Sequence, residues 1–110
     1  MRRVIEDAAT ALLRALSASF AAFEGTFRIE QLTSRSWASV TFSGARHRVV
    51  LSLEGAGAGA AADAFLENME EAEFDLGGHI LADIALVGEE RDLEANSARL
   101  SLEALTVEDA

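Results

Sequence analysis

The sequence predicts a single two-layer α+β domain, and three observations predict it. Two segments repeat their apolar residues at helical spacing, several others alternate apolar with polar residues at the period of a strand, and the connections between those strands are short. Short connections favour antiparallel neighbours. With 110 residues, half of them apolar, the chain can bury one core of moderate size and not two. The expected order is α-β-β-β-α-β-β, a mostly antiparallel five-stranded sheet carrying both helices on one face.

Ile5, Ala8, Ala9, Leu12, Leu13, Leu16 and Phe20 recur at the spacing of one helix face, which predicts a helix over about residues 3–19. Its early acids Glu6 and Asp7 and its later Arg14 suit the helix dipole. From Phe23 the period becomes two, with Phe27 and Ile29 between Thr26, Arg28 and Glu30, and the polar tract Thr33-Ser34-Arg35-Ser36 is expected to end that strand. Trp37 to Phe42 reads as a second strand, Ser43-Gly44-Ala45-Arg46 as a tight turn, and Val49, Leu51 and Leu53 as the inward residues of a third. Gly55 to Gly59 reads as a flexible connector into a second helix over about Ala60 to Glu73, whose narrow stripe is Phe65, Leu66, Met69 and Ala72. Asp75 to Gly78 breaks it. Ile80 to Val87 is an apolar strand interrupted by Asp83, the acidic stretch Gly88 to Ser97 reads as a loop, and Arg99 to Val107 as the last strand.

Alternation sorts the sheet into two faces. Phe27, Ile29, Val40, Phe42, Val49, Leu51, Leu53, Ile80, Ile84, Leu86, Leu100 and Leu102 are expected under the helices. The other face keeps Trp37, Val50, Leu81, Ala85, Val87, Leu105 and Val107, and an apolar set of that size left in water marks an interface. A second copy of the chain is the simplest cover, since two-fold dimers are the commonest oligomers.

Charge divides the chain along its length. Residues 1–53 carry seven Arg against four acids and residues 54–110 two Arg against fifteen, so +3 and −13 make up the net −10. A chain this acidic repels phosphate backbones, which argues against nucleic acid as a partner. There is no Cys, Lys, Tyr or Pro, so disulfides, thiolate chemistry, Schiff-base lysines and tyrosine acids are excluded. Ala-rich, Lys-free composition is the mark of a GC-rich bacterial coding bias. Arg2-Arg3 before an apolar run raises a secretory signal, but Glu6, Asp7 and Arg14 interrupt that run, and no segment reaches the roughly 18 apolar residues that span a bilayer. A cytoplasmic protein without a membrane partner is the expectation.

Several patterns touch on chemistry without committing to it. Gly55-x-Gly57-x-x-Ala60 between a strand and a helix has the local context of a dinucleotide-binding turn, but the antiparallel order and the acidic helix favour a connector. Asp92-x-Glu94-x-Asn96-Ser97 with Glu103 approaches a calcium loop, yet Ser97 stands where the turn glycine belongs, and a solvated hairpin is the preferred reading. Asp63, Glu67 and Glu70 form a carboxylate stripe, but neither His47 nor His79 lies in the Glu-x-x-His spacing of a carboxylate metal site. No nucleophile elbow is present. No catalytic residue, metal or cofactor is therefore assigned.

The polar groups left as binding candidates are Asp83, His79, Arg48, His47 and Trp37. Asp83 is the lone charge in an apolar strand and is expected on the outer face with His79, Leu81 and Ala85; His79, about 13 Å along the strand, is too far for direct proton exchange with it. Arg35, Arg46, His47 and Arg48 with Trp37 nearby form a set that grips an anion or pairs with the acidic half of another subunit. Residues Trp37, Val50, Leu81, Val87, Leu105 and Val107 are the expected interface.

The order of residues 3–73 is similar to that of double-stranded-RNA-binding domains, but those need a basic second helix, and here it carries Asp63, Glu67, Glu70, Glu71 and Glu73. The full order resembles that of type III secretion chaperones, which are small, acidic and commonly dimeric, although their closing helix has no counterpart before Val107-Glu108-Asp109-Ala110. That resemblance implies a non-catalytic homodimeric module with grooves for an extended partner segment. The alternative is a small-molecule-binding protein or enzyme with a pocket between the first helix and the sheet.

Overall fold

The computed structural model describes residues 7–72, 74 and 76–108. Helix α1 (Ala8–Ser19) starts at Asp7, whose carboxylate accepts the Thr10 N–H at 2.8 Å. Strands β1 (Thr26–Ala38) and β2 (Ser43–Glu54) form a long hairpin, α2 (Ala58–Asn68) follows, and β3 (His79–Asp92) and β4 (Ser97–Glu108) form a second hairpin. The sheet is antiparallel throughout in the order β1-β2-β4-β3, so the two hairpins meet through β2 and β4.

The order is thus α-β-β-α-β-β with four strands, and the expected five-stranded order is corrected. Thr33-Ser34-Arg35-Ser36 does not end a strand; pairing runs unbroken from Gln31↔Val50 to Ala38↔Ser43. The polar tract survives inside a strand because Ser34 lies opposite His47 and the two side chains hydrogen-bond at 2.7 Å. Ser43-Gly44-Ala45-Arg46 is likewise strand, and the turn falls at Ser39–Phe42, where Ser39 N–H donates to Phe42 O and Ser39 Oγ accepts the Phe42 N–H. The merged strand also removes the element order on which the likeness to secretion chaperones and RNA-binding domains rested. Gly88 to Asp92 is strand too, leaving a short turn at Leu93–Asn96. Residues 3–6 and Glu73 of the expected helices, and Asp75 of the expected break, lie outside the described residues.

Both helices cover one face of the sheet. Leu12, Leu16 and Phe20 of the first helical segment and Ala58, Ala62, Phe65 and Met69 of the second pack with Val49, Leu51 and Leu53 of β2 and Ala98, Leu100 and Leu102 of β4. Phe20 stacks on Phe27 with ring centroids 5.0 Å apart and leans on Phe65 at 4.9 Å, locking both helices to the edge strand.

Three irregularities set the final faces. The register shifts at Ile29/Gln31, at Leu81/Asp83 and at Leu86/Gly88, and each extra residue reverses the alternation beyond it. On β3 this puts His79, Leu81, Ile84 and Leu86 on the helix side and Ile80, Asp83 and Ala85 on the other. The outer placement of Leu81 and His79 and the inner placement of Ile80 are corrected, because strict alternation cannot see the bulge at Ala82. Val87 is the extra residue of the second bulge and is 43% exposed. Val40 and Phe42, expected in the core, stand at the hairpin tip with exposures of 106% and 58%.

Candidate functional site

Among the described residues no helix lies over the outer sheet face, and its side chains fall into rows fixed by the strand register. At one end Trp37, Gly44, Val107 and Ile80 stand side by side across β1, β2, β4 and β3. The next outer row is Arg35, Arg46, Leu105, Asp83, and the one after it Thr33, Arg48, Glu103, Ala85. Then come Gln31, Val50, Ser101, Gly88, further on Arg28, Ser52, Arg99, Glu90, and last Thr26, Glu54, Ser97, Asp92. The charge split of the sequence has become a left–right split of one surface, with Arg28, Arg35, Arg46 and Arg48 on the β1/β2 half and Asp83, Glu90, Asp92 and Glu103 on the β3/β4 half, Glu54 and Arg99 being the exceptions.

The two central charged rows enclose an open trough of about 530 Å³, walled by Arg35, Arg46 and Arg48 on one side and by Asp83 and Glu103 on the other, with Leu105 between. All five charged side chains are exposed. Among the described residues none of the five enters a salt bridge, whereas Arg99 of the same face holds Glu30 at 2.7 Å. A directly opposed cross-strand pair such as Arg48 and Glu103 contributes at most about 1 kcal/mol in water, so these groups are free to answer to a partner. Trp37 closes the apolar end of the face; its ring lies 3.0 Å from where a Gly44 Cβ would stand, and its Nε1 finds no acceptor among the described residues.

A second polar cluster lies on the helix side, at the open end beside the start of α1. His47 is 2% exposed and Thr106 is fully buried. Ser34 Oγ is 2.7 Å from His47 Nδ1, His47 Nε2 is 2.9 Å from Thr106 Oγ1, and Thr106 Oγ1 donates to Ala45 O at 3.4 Å. The His47 tautomer sets the sense of the chain: with the proton on Nε2 the ring donates to Thr106 and accepts from Ser34, and with it on Nδ1 both directions reverse. Burial pushes the His47 pKa below its ordinary value, the charge of His79 adds to that, and Asp7 opposes it. A cavity of about 580 Å³ next to the chain is lined by Asp7, Ser34, Ser36, His47, His79 and Glu108 among others. Sequence alternation could have found this cluster, since His47 stands two residues before Val49, Leu51 and Leu53 in the inward series.

The sequence-derived candidates are therefore divided between two sites. Asp83, Arg48 and Trp37 share the outer face, while His47 and His79 share the cavity under α1; the bulge at Ala82 separates Asp83 from His79. Val50, Leu105 and Val107 lie on the outer face. The calcium-like stretch is a turn: Asp92 Oδ1 accepts the N–H groups of Glu94 and Ala95, and Asn96 takes a φ of 50°. Gly55 and Gly57 have φ of 122° and 87°, values that glycine adopts without strain, and they serve the connection into α2. Asp63 of the carboxylate stripe pairs with Arg91 at 2.7 Å, and Arg91 also holds Glu89 at 2.6 Å. Among the described residues no group of three His, Asp or Glu is placed to hold a metal ion, and no helix is long and apolar enough to cross a membrane.

No protein-family model matches the chain, and neither a curated protein nor a solved structure matches it.

Proposed function

We propose that the protein is a non-catalytic interaction module of the bacterial cytoplasm that works as a homodimer, with the bare sheet face as its working surface. The observation that carries this reading is the segregation of both helices to one side, which leaves a face bearing Trp37, Val50, Leu105, Val107 and Ile80 among separated basic and acidic side chains. Its size is appropriate. Strands of 12 residues are about 40 Å long and four of them about 19 Å wide, so the face offers about 760 Å², close to the ~800 Å² per partner of a stable interface.

Native mass spectrometry with light scattering tests the reading. A species of twice the 11.7 kDa chain mass at micromolar concentration is the expected result, and a monomer at tens of micromolar overturns it. The same spectrum examines the second reading, a small-molecule pocket beside α1, which the cavity lined by Asp7, His47, His79 and Glu108 favours. A reproducible low-mass adduct lost in His47→Leu would support that pocket; an adduct unaffected by the substitution would not.

A further inference from the structure

Resting on the homodimer reading, we infer that the second copy docks on the outer face about a two-fold axis parallel to the strands, passing between β2 and β4. Such an axis keeps every row at its own level and reverses it from left to right. Each side chain then faces the mirror position of its own row, so the whole pairing follows from the strand register.

Three rows bring opposite charges face to face. Arg35 faces the second copy's Asp83 in one row, Arg48 faces its Glu103 in the next, and Arg28 faces its Glu90 further along. Symmetry makes each of these pairs twice. Arg46 lies over the opposite Leu105, between the opposing Asp83 and Glu103, and its long side chain occupies the trough that two such faces would otherwise leave empty. At the apolar end Trp37 faces Ile80 and Gly44 faces Val107, which seats the indole against an aliphatic side chain beside a position with no side chain of its own.

The other in-plane axis, perpendicular to the strands, fails on the same register. Centred on the sheet it lays Arg35 against Arg28 and Asp83 against Glu90, opposing like charges on both edges. Aligned sheets pack with their strands about 30° apart, so opposition is best kept near the middle of the face. Arg48 and Glu103 sit there, on the two central strands. A surface that is complementary to itself about one axis and repulsive about the other selects its own copy and its own orientation.

The test is a charge reversal in two halves. R35E/R48E makes the basic half acidic, and D83R/E103R makes the acidic half basic. Wild type and both variants are compared by native mass spectrometry and sedimentation at equal concentration, with far-UV circular dichroism to establish that each is folded. Each variant alone is expected to associate about 100-fold or more weakly than wild type, because like charges then face each other at four places. An equimolar mixture is expected to restore a dimer containing one chain of each kind, resolved by mass, and that rescue cannot come from misfolded chains. Variants that dimerise as wild type does would overturn the axis while leaving the homodimer intact, as would folded variants whose mixture stays monomeric. A monomeric wild type would overturn the homodimer and the axis together.

Discussion

Replacing Thr106 by Val removes one hydroxyl from the best-buried polar side chain among the described residues. Thr106 is fully buried, and its Oγ1 is hydrogen-bonded to His47 Nε2 at 2.9 Å. Valine keeps the branched shape and offers nothing to that ring nitrogen, which with its proton is left a donor without an acceptor. His47 can turn its tautomer so that Nδ1–H donates to Ser34, but Nε2 is then a buried acceptor without a partner, so one ring nitrogen is orphaned in either form. Leaving such a group unsatisfied costs about 1–3 kcal/mol. For a chain of this length that lowers the melting temperature by about 4–12 °C. Urea unfolding at pH 8, at one fixed protein concentration, measures it for wild type, Thr106→Val, His47→Leu and the double variant. If the orphaned nitrogen carries the loss, His47→Leu in the Thr106→Val background recovers part of it, because removing both partners of a buried hydrogen bond is milder than removing one. Strictly additive single and double losses would refute the hydrogen-bond chain as the cause.

Other consequences follow from the same packing. The His47 pKa is lowered in the folded state relative to its ordinary value of 6.5, so the unfolded chain binds the extra proton first; stability is constant above about pH 6.5 and falls as pH drops toward the folded value, and urea midpoints across pH 5–8 should show a slope that His47→Leu removes. Gly44→Ala sets a Cβ 1.9 Å from the Thr106 carbonyl oxygen, a backbone atom that cannot swing aside, so it should lower stability by about 2 kcal/mol or more and expose the Gly44 end of the β2–β4 pairing to amide hydrogen exchange. Leu102→Ala, at a fully buried position of a central strand, should cost about 2–5 kcal/mol in denaturant unfolding without changing oligomeric state. Arg91→Ala, which releases Asp63 and Glu89 from a partly exposed cluster, should cost less than about 1 kcal/mol, and a double-mutant cycle with Asp63→Ala should find a coupling that shrinks in salt.

The sequence by itself determined the α+β class, both helices and their shared side of the sheet, since helical spacing at Leu12, Leu16, Phe65 and Met69 and alternation at Val49, Leu51 and Leu53 each admit one arrangement. It also determined that a second face would stand uncovered with Trp37, Val50, Leu105 and Val107 on it. Strand number was decided in three dimensions: Thr33 to Ser36 reads locally as a break, and only the β2 partner, pairing through this exposed tract with His47 across from Ser34, carries the strand on to Ala38. The sidedness of β3 was decided there as well. A bulge such as that at Ala82 has no signature in alternation, because the extra residue is defined by the partner strand it fails to pair with, and it alone parts His79 from Asp83. Charge shows the same division of labour. The sequence holds an excess of Arg in its first half and of acids in its second, but which of them oppose one another across a surface depends on register, a property of pairs of strands that no single strand contains.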